Sequence, residues 1–463
     1  MSIPYKKTIF HCLTITAALF VLNACNVTKP YQKPPLQIAN NYRNATTTDS
    51  TSIAQLSWRE IFTDKNLQQL IQEGIQNNVD MKVAYSRIIQ AKANVDQSKL
   101  QFLPSVDAFT SATLNHSTKS QNWTGNIKTQ QYQLGLQASW EADIWGKLKS
   151  AKNSNIAKLL GEEANTKAIQ TTLVAAIASD YYQLIALDQQ LKYTKESVKT
   201  WQSTVDVMQK LKTADVVTGA AVVQSEASKF SVAVTIPDLE QSIWVTENHL
   251  NLLLARPPQS ITRESIVNQT GVPSLETGVP VQLLTNRPDV QAAESNFRYY
   301  FEQTNVAKTF FYPTLSLSAS TGYGSNSLFS LGSWISSIVG NLAQPVFNQG
   351  ANKTRLTVAK EAEYQSALNF QQVLLNAGTE VSDALNLYKT ALDKTNIRKD
   401  QLLNLEKSVN FTQQLVRYGS ANYTEVLNAQ QNLLSAQLAQ VNDKLQQLQA
   451  GVNLYRSLGG GWK

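Results

Sequence analysis

The sequence predicts an α+β membrane protein assembled twice over from one plan: a helix, a strand hairpin, a very long helix and a helix that returns. Three observations carry that prediction. The chain repeats itself at a nearly fixed offset, each repeat contains a stretch of alternating apolar and polar residues, and each such stretch is followed by a long run without proline. Phe102-Leu103-Pro104 returns as Phe311-Tyr312-Pro313, and Asn78-Val79-Asp80 and Arg287-Pro288-Asp289 precede their prolines by the same distance. Ser179-Asp180 returns as Ser382-Asp383, and Val222-Val223-Gln224-Ser225-Glu226 returns loosely as Val426-Leu427-Asn428-Ala429-Gln430. A repeat of roughly 200 residues is too long for a solenoid unit, so it reads as one half duplicated and fused, the halves lying side by side.

At the N-terminus, Lys6 and Lys7 followed by the apolar run from Leu13 to Leu22 have the form of a signal peptide. Leu22-Asn23-Ala24-Cys25 resembles the lipobox of bacterial lipoprotein precursors. There the cysteine receives an S-linked diacylglycerol and, after cleavage of residues 1–24, an N-linked acyl chain such as palmitate. An ordinary secreted protein with a chance cysteine is the rival reading, but basic residues, apolar run, small residue and Cys25 all stand at lipoprotein spacing. Asn26 follows, where lipoproteins kept in the inner membrane commonly carry Asp, so the expected destination is the outer membrane.

With Cys12 in the leader and Cys25 lipidated, no thiol is left for a disulfide framework. The formal net charge is +7, and the leader removes two lysines and no acid. So small a charge with no basic run leaves no nucleic-acid footprint. Charged residues make up only 16 % of the chain, and Gln, Asn, Ser, Thr and Ala are abundant, so much neutral polar surface is expected. Beyond the leader no apolar run approaches the ~20 residues of a membrane-spanning helix.

Residues 26–55 hold Pro30, Pro34 and Pro35 and then Asn/Thr-rich sequence, which predicts an irregular, extended lead. Helix is expected from near Asn66 to Leu100, interrupted around Asn77-Asn78 and ended by Pro104. The period then changes to two. Tyr132, Leu134, Leu136, Ala138 and Trp140 alternate with Gln133, Gly135, Gln137 and Ser139. In the second half Leu315, Leu317, Ala319, Thr321 and Tyr323 alternate with Ser316, Ser318, Ser320 and Gly322. Residues 106–114 and 334–345 are weaker partner strands, joined through loops at 115–130 and 324–333. A lone hairpin is marginal in water. A small sheet packed on a helix is the soluble reading; the membrane reading is barrel strands of ~10 residues with one lipid-facing side. Four strands cannot close a barrel, so a barrel requires several chains.

The proline-free runs 147–212 and 351–417 follow the hairpins. Leu173, Ile177, Leu184, Leu187 and Leu191 in the first, with Asp180 as a polar exception, keep coiled-coil spacing. Leu374, Gly378, Val381, Leu385, Tyr388 and Leu392 do so in the second. At 1.5 Å per residue such helices would be struts on the order of 100 Å long. Each turns back, at Thr213 to Gly219 and at Tyr418 to Asn422, and the returns end near Pro257-Pro258 and Gly459-Gly460-Gly461.

In this order the chain resembles the TolC-like outer membrane factors, in the lipoprotein branch (NodT type) that serves resistance-nodulation-division efflux pumps. The motifs that carry the resemblance run over nearly the whole mature chain: Trp58-Arg59-Glu60-Ile61-Phe62, Trp140-Glu141-Ala142-Asp143-Ile144-Trp145-Gly146, Arg287-Pro288-Asp289-Val290 and Phe311-Tyr312-Pro313. Pro345-Val346-Phe347-Asn348-Gln349-Gly350, Arg417-Tyr418-Gly419 and Leu454-Tyr455-Arg456-Ser457-Leu458-Gly459-Gly460-Gly461-Trp462 complete the set. The resemblance implies a homotrimer in which four strands from each chain form one 12-stranded β-barrel, continuous with a coiled-coil barrel of helices in the periplasm. It implies a passive multidrug efflux duct, opened at its periplasmic end when a periplasmic adaptor and an inner-membrane transporter dock. The chain then divides into a signal peptide (1–24), an anchor and equatorial segment (25–65), a first repeat (66–256), an equatorial linker (257–285), a second repeat (286–451) and a C-terminal equatorial segment (452–463).

No catalytic site, cofactor site or metal site is visible. His116, in an expected external loop, and His249, on a helix, stand in no ligand spacing, and no phosphate loop or nucleophile elbow occurs. The helical tips are the better candidates. The resemblance makes Asp215, Arg417, Tyr418, Asn422 and Tyr423 candidates for interchain contacts that hold the entrance shut; helix capping is the bland reading of each. Gly219 and Gly419 are candidates for close approach of an adaptor. Trp123, Trp140, Trp145, Phe310, Phe311, Tyr323 and Trp334 bunch around the hairpins, as interfacial girdles do. Rivals that keep the fold are a type I protein-secretion channel and a metal-ion efflux channel, although Met81 and Met208 alone make no methionine relay. A periplasmic coiled-coil scaffold lipoprotein is the rival of another class, and a hydrolase has least support.

Overall fold

The computed structural model describes residues 27–34, 53–117, 127–271, 282–328, 332–417 and 422–463. A 3-10 turn (Ile53–Gln55) and a short helix α1 (Trp58–Ile61) occupy the end of the expected lead. Glu60 accepts a hydrogen bond from the Ser57 backbone at 2.7 Å, closing the N-terminus of α1. Helix α2 (Lys65–Asn77) begins where Asp64 caps it, its carboxylate accepting from the amides of Asn66 and Leu67. Leu67, Leu70, Ile71 and Gly74 form the buried stripe of α2, and Gly74 leaves room for Ile177 and Leu254. The interruption expected at Asn77-Asn78 is present. The Asn78 side chain accepts from the amide of Met81, capping α3 (Val79–Leu100), and donates to the carbonyl of Leu253 at 2.9 Å, while its backbone amide closes α2 on the carbonyl of Gly74.

Pro104 stops α3, and one antiparallel sheet follows in the order β1-β2-β3-β4. Its strands are β1 (Ser105–Ser117), β2 (Ile127–Ala142), β3 (Thr314–Ser325) and β4 (Ser333–Ala343). The first hairpin runs further than expected: in-register pairing continues to Ser117 and Ile127, so the connecting loop is shorter than 115–130. The central pairing of β2 with β3 joins the two halves of the duplication. Register sorts most of the side chains by polarity, with Phe109, Ile335 and Val339 the apolar exceptions on the polar face. Val106, Ala138, Ala319 and Ile338 form one row, and Thr110, Leu134, Tyr323 and Trp334 another on the same face. The opposite face holds Gln133, Gln137, Ser318, Ser320 and Ser337.

Each hairpin feeds one unbroken helix, α4 (Lys147–Thr213) and, in the second half, the helix Ala351–Arg417. Asp143 starts α4 by accepting from the amides of Leu148 and Lys149, after Gly146 turns the chain at φ +77°. The returns differ. The first is split at Val234 into α5 (Gly219–Ala233) and α6 (Thr235–Leu253), because Pro237 has no amide to give the carbonyl of Ala233. The second half contains α7 (Leu283–Asn286), α8 (Pro288–Thr309), α9 (Ala351–Arg417) and an undivided return, α10 (Tyr423–Ser457).

The α9 seam is corrected in register. Its buried row is Leu374, Ala377, Val381, Ala384, Tyr388 and Ala391, while Gly378, Leu385 and Leu392 lie beside it, half-buried. Alanine at alternate seam positions lets the partner helix come close, which leucine there would prevent. In α4 the expected Leu173, Ile177, Leu184 and Leu187 are buried and Leu191 is half-buried.

Contacts gather into two compact units. One takes the described residues of Met1–Pro35, Arg87–Glu162 and Ala292–Phe370, the other those of Leu36–Ser86, Glu163–Gln291 and Gln371–Lys463. Polar pairs lace the first: Gln303 donates to Ser154 at 2.9 Å and Asn153 to the Glu302 carboxylate at 3.3 Å. The second is knotted by Asp64, which also accepts from the Tyr181 hydroxyl at 2.6 Å and from Gln269 at 2.7 Å. Burial, then the adjacent Asp64 carboxylate, push the Tyr181 hydroxyl well above its ordinary pKa. Asp64→Ala removes the cap and leaves buried donors unmet. It is expected to cost roughly 2–4 kcal/mol, read by denaturant unfolding in detergent, with Asp64→Asn milder because it keeps one acceptor.

Candidate functional site

Two regions hold what the chain has to work with: the sheet and the helical tips. On the apolar face of the sheet Leu134, Ile338 and Leu342 are exposed by 65 %, 77 % and 67 %. The outer edges, β1 and β4, have no strand partner among the described residues. Aromatic groups mark both ends of this face. At the helix end Trp140 donates to the carbonyl of Phe102 at 2.9 Å, and Trp145 donates to Pro313 at 2.7 Å and stacks on Tyr312. At the other end Tyr323 and Trp334 meet edge to face, 5.0 Å between centroids. From Leu317, level with Trp140, to Tyr323 is about 20 Å at ~3.3 Å per residue. Phe310, by contrast, is covered by Lys147 and Arg355, and Phe311 is exposed. Trp123 lies outside the described residues.

The N-terminal lead ends at the same level. Thr28 packs against Gly146, the backbone of Lys29 exchanges hydrogen bonds with the Asn305 amide, and Lys33 pairs with Glu294 at 2.8 Å. Tyr31 is wedged between Phe297 and Phe301, and burial followed by the Glu294 charge pushes its hydroxyl up to about 12. Cys25 itself lies outside the described residues.

At the first tip α4 closes with a Schellman turn: the amide of Val216 reaches the carbonyl of Leu211 at 2.9 Å, and that of Asp215 reaches Lys212 at 3.0 Å. Asp215 adopts φ +56°, a left-handed conformation that aspartate tolerates better than most residues. Lys212 lies over Gly219, where a Cβ would meet the lysine only at ordinary contact distance, 3.7 Å. At the second tip Asn422 caps α10, accepting from the amide of Thr424 at 3.1 Å. Tyr423 donates to Gln224 at 3.3 Å and packs on both tip clusters. Arg417 is the last residue of α9; its side chain, Tyr418 and Gly419 are outside the described residues.

The sequence did not single out what binds the tips to each other. Met208, Val222, Val416 and Val426 form one buried cluster, and Trp201, Val232, Leu427 and Leu434 another. Between them Gln430 donates to Thr204 at 2.9 Å, both buried. The partial match of Val222–Glu226 with Val426–Gln430 was the available signal, since it aligns the two helices that meet here. Asp180 also finds its partner: His249 Nδ1 lies 2.5 Å from its carboxylate, which burial pushes up and the histidine pulls down. Arg287 of the Arg-Pro-Asp motif is buried, clamping Asp289, Glu380 and the carbonyl of Ser457. Among the described residues no group of His, Cys, Asp and Glu is placed to hold a metal ion, and no helix is long and apolar enough to cross a membrane.

A family model described as outer membrane efflux protein matches residues 70–256 and 279–460, one stretch in each half. The chain belongs to that family. It is therefore a transport protein of the outer membrane and not an enzyme. Relatives include the toluene efflux pump outer membrane protein TtgC of Pseudomonas putida, 27 % identical and aligned over 97 % of this chain and 95 % of that one. The cation efflux system protein CusC of Escherichia coli is 26 % identical over 95 % and 97 %. The probable outer membrane lipoprotein SilC of Salmonella typhimurium is 27 % identical over 96 % and 98 %. Among solved structures, the outer-membrane channel OprN superposes with TM-score 0.86 at 24 % identity, covering 95 % of this chain and all of its own. The open state of Neisseria gonorrhoeae MtrE gives 0.85 at 23 %, covering 95 % and 99 %. The fold is TolC-like.

Gln430→Ala removes the buried Thr204–Gln430 pair at the tips, while Thr204 keeps its bond to the carbonyl of Thr200. It should cost roughly 0.5–1.5 kcal/mol, with faster amide exchange confined to the tip ends of α4 and α10.

Proposed function

We propose that three copies of this chain close their sheets into one 12-stranded barrel and form the passive exit duct of a tripartite efflux pump. The observation that carries the reading is the four-stranded sheet with an exposed apolar face and two open edges. In bilayer hydrocarbon neither edge can stay unpaired, and closure through further copies satisfies both. The apolar face then meets lipid, and the polar face lines the lumen.

In this reading α4 and α9, each with its return, are the staves of the periplasmic duct. Residues 66–256 and 286–451 form the pseudo-equivalent halves. Residues 25–65, 257–285 and 452–463 form the equatorial belt. Cys25 carries the lipid. The described lead supports that assignment, since Thr28 sits at the strand-to-helix junction and the three residue steps from it back to Cys25 span at most ~10 Å. Asp215, Arg417, Tyr418, Asn422 and Tyr423 guard the entrance, and Gly219 and Gly419 receive the adaptor, behind which stands a resistance-nodulation-division transporter. Asp215 and Asn422 cap their turns as well, so gating would act on residues already fixed in place. The cargo is a drug or other small molecule; the names of TtgC and CusC span solvents and cations, and a deletion strain sensitised to one class alone would choose between them.

Purified protein in a planar bilayer should conduct, and a heat-labile trimer band should appear on a gel. Asp215→Asn or Arg417→Ala should raise the resting conductance, and no change for either removes the gate assignment. Cys25→Ser should abolish acylation of the mature chain, read by mass; an acylated variant would sink the lipid site.

A further inference from the structure

We infer that Asp107 sets the charge preference of the duct, favouring cationic cargo, protonated amines included, over anions at the base of the barrel. The inference rests on the trimeric barrel proposed above. Its starting point is the polar face of the sheet. Register assigns to that face Asp107, Gln131, Gln133, Gln137, Glu141 and serines and glycines from β3 and β4, with Phe109, Ile335 and Val339 as its apolar members. Among the described strand residues no Lys or Arg falls on it, although the whole chain carries a formal net charge of +7.

The two carboxylates are not equivalent. Lys147 holds both oxygens of Glu141, at 2.9 and 3.0 Å, so that charge is offset where it stands. Asp107 lies two residues into β1, in a row with Gln137, Ser320 and Ser337. It is exposed, and none of its row neighbours is charged. Ser320 and Ser337 are hydrogen-bonded to each other at 2.8 Å. The carboxylate of Asp107 has no ion pair among the described residues.

Three copies repeat that charge at one level, where β1 begins and all cargo must enter the barrel. A fixed charge on the lumen wall acts over about a Debye length, ~10 Å at 0.1 M salt and ~3 Å at 1 M. Three carboxylates on a wall without cations therefore raise the local concentration of cations and deplete anions at low ionic strength. Substitutions on a lumen face tune selectivity without touching the lipid face that holds the barrel in place.

The test is the reversal potential of the full-length lipoprotein in a planar bilayer under a KCl gradient. At ~0.1 M salt the unaltered chain is expected to prefer potassium over chloride. Asp107→Asn should lower the permeability ratio by about twofold or more, and Asp107→Lys should invert it; Asp107→Glu should retain it. The differences should shrink toward ~1 M salt. Asp107→Ser serves if the asparagine variant fails to assemble. Conducting trimers of Asp107→Asn with an unchanged ratio would overturn the inference. An unaltered chain that neither conducts nor forms a trimer would overturn the barrel itself, a separate failure. Asp215→Asn, measured beside these, distinguishes the tip acid from the barrel acid: a loss of preference there and not at Asp107 also overturns the inference.

Discussion

Everything in this chain answers to a sheet that cannot exist alone. Four strands present a continuous apolar face and two unpaired edges, and water tolerates neither. An edge strand in water invites uncontrolled pairing, and in hydrocarbon each unpaired backbone group costs several kcal/mol. A bilayer around a barrel closed by copies of the same chain meets both demands at once. The helices inherit their positions from that sheet. Asp143 and Gly146 start α4 within a few residues of β2, and Gln349 and Gly350, both at positive φ, start α9 after β4. The N-terminal lead is tied to the same level by Thr28 and Lys29. Strand ends, strut beginnings and the N-terminal lead thus share one junction.

Away from the sheet, stability comes from polar knots as much as from apolar seams. Asp64 unites the start of α2, the middle of α4 and the belt segment near Gln269. Arg263 joins Asp188 to Glu247, and Arg287 joins Asp289, Glu380 and the C-terminal turn. Such groups tolerate burial because each is met on several sides. The tips are fixed more lightly, by small apolar clusters and the Thr204–Gln430 pair. That contrast suits the proposed function, in which the tips open while the segments around Asp64 and Arg287 stay fixed.

The duplication was legible because strands and long helices announce themselves by period. Leu134 to Trp140 alternate, and no proline interrupts Lys147 to Thr213. What the sequence hid was set by distant partners. Asp180 read as a polar intruder in a seam until His249, from another helix, came within hydrogen-bond reach. The α9 seam was read one residue off at alternate positions, because a period of 3.5 does not say whether Ala384 or Leu385 meets the partner; helix separation decides that. The first return was expected as one helix, and the structure divides it at Val234, where Pro237 withholds an amide. Of the candidate gate residues, Asp215, Asn422 and Tyr423 proved to have structural roles as well, which no local pattern could separate from function.

The central claim is that β4 of one chain pairs with β1 of the next. Within a chain these strands are the opposite edges of the sheet, about 14 Å apart at ~4.8 Å per strand, far beyond disulfide reach. The mature chain has no cysteine besides Cys25, so cysteines placed along β1 and β4, starting with Ser111→Cys and Ser337→Cys, report cleanly. Oxidation in native outer membranes should produce a ladder that stops at three chains for the matching register. Monomers at every register, or a ladder running past three, would contradict the account.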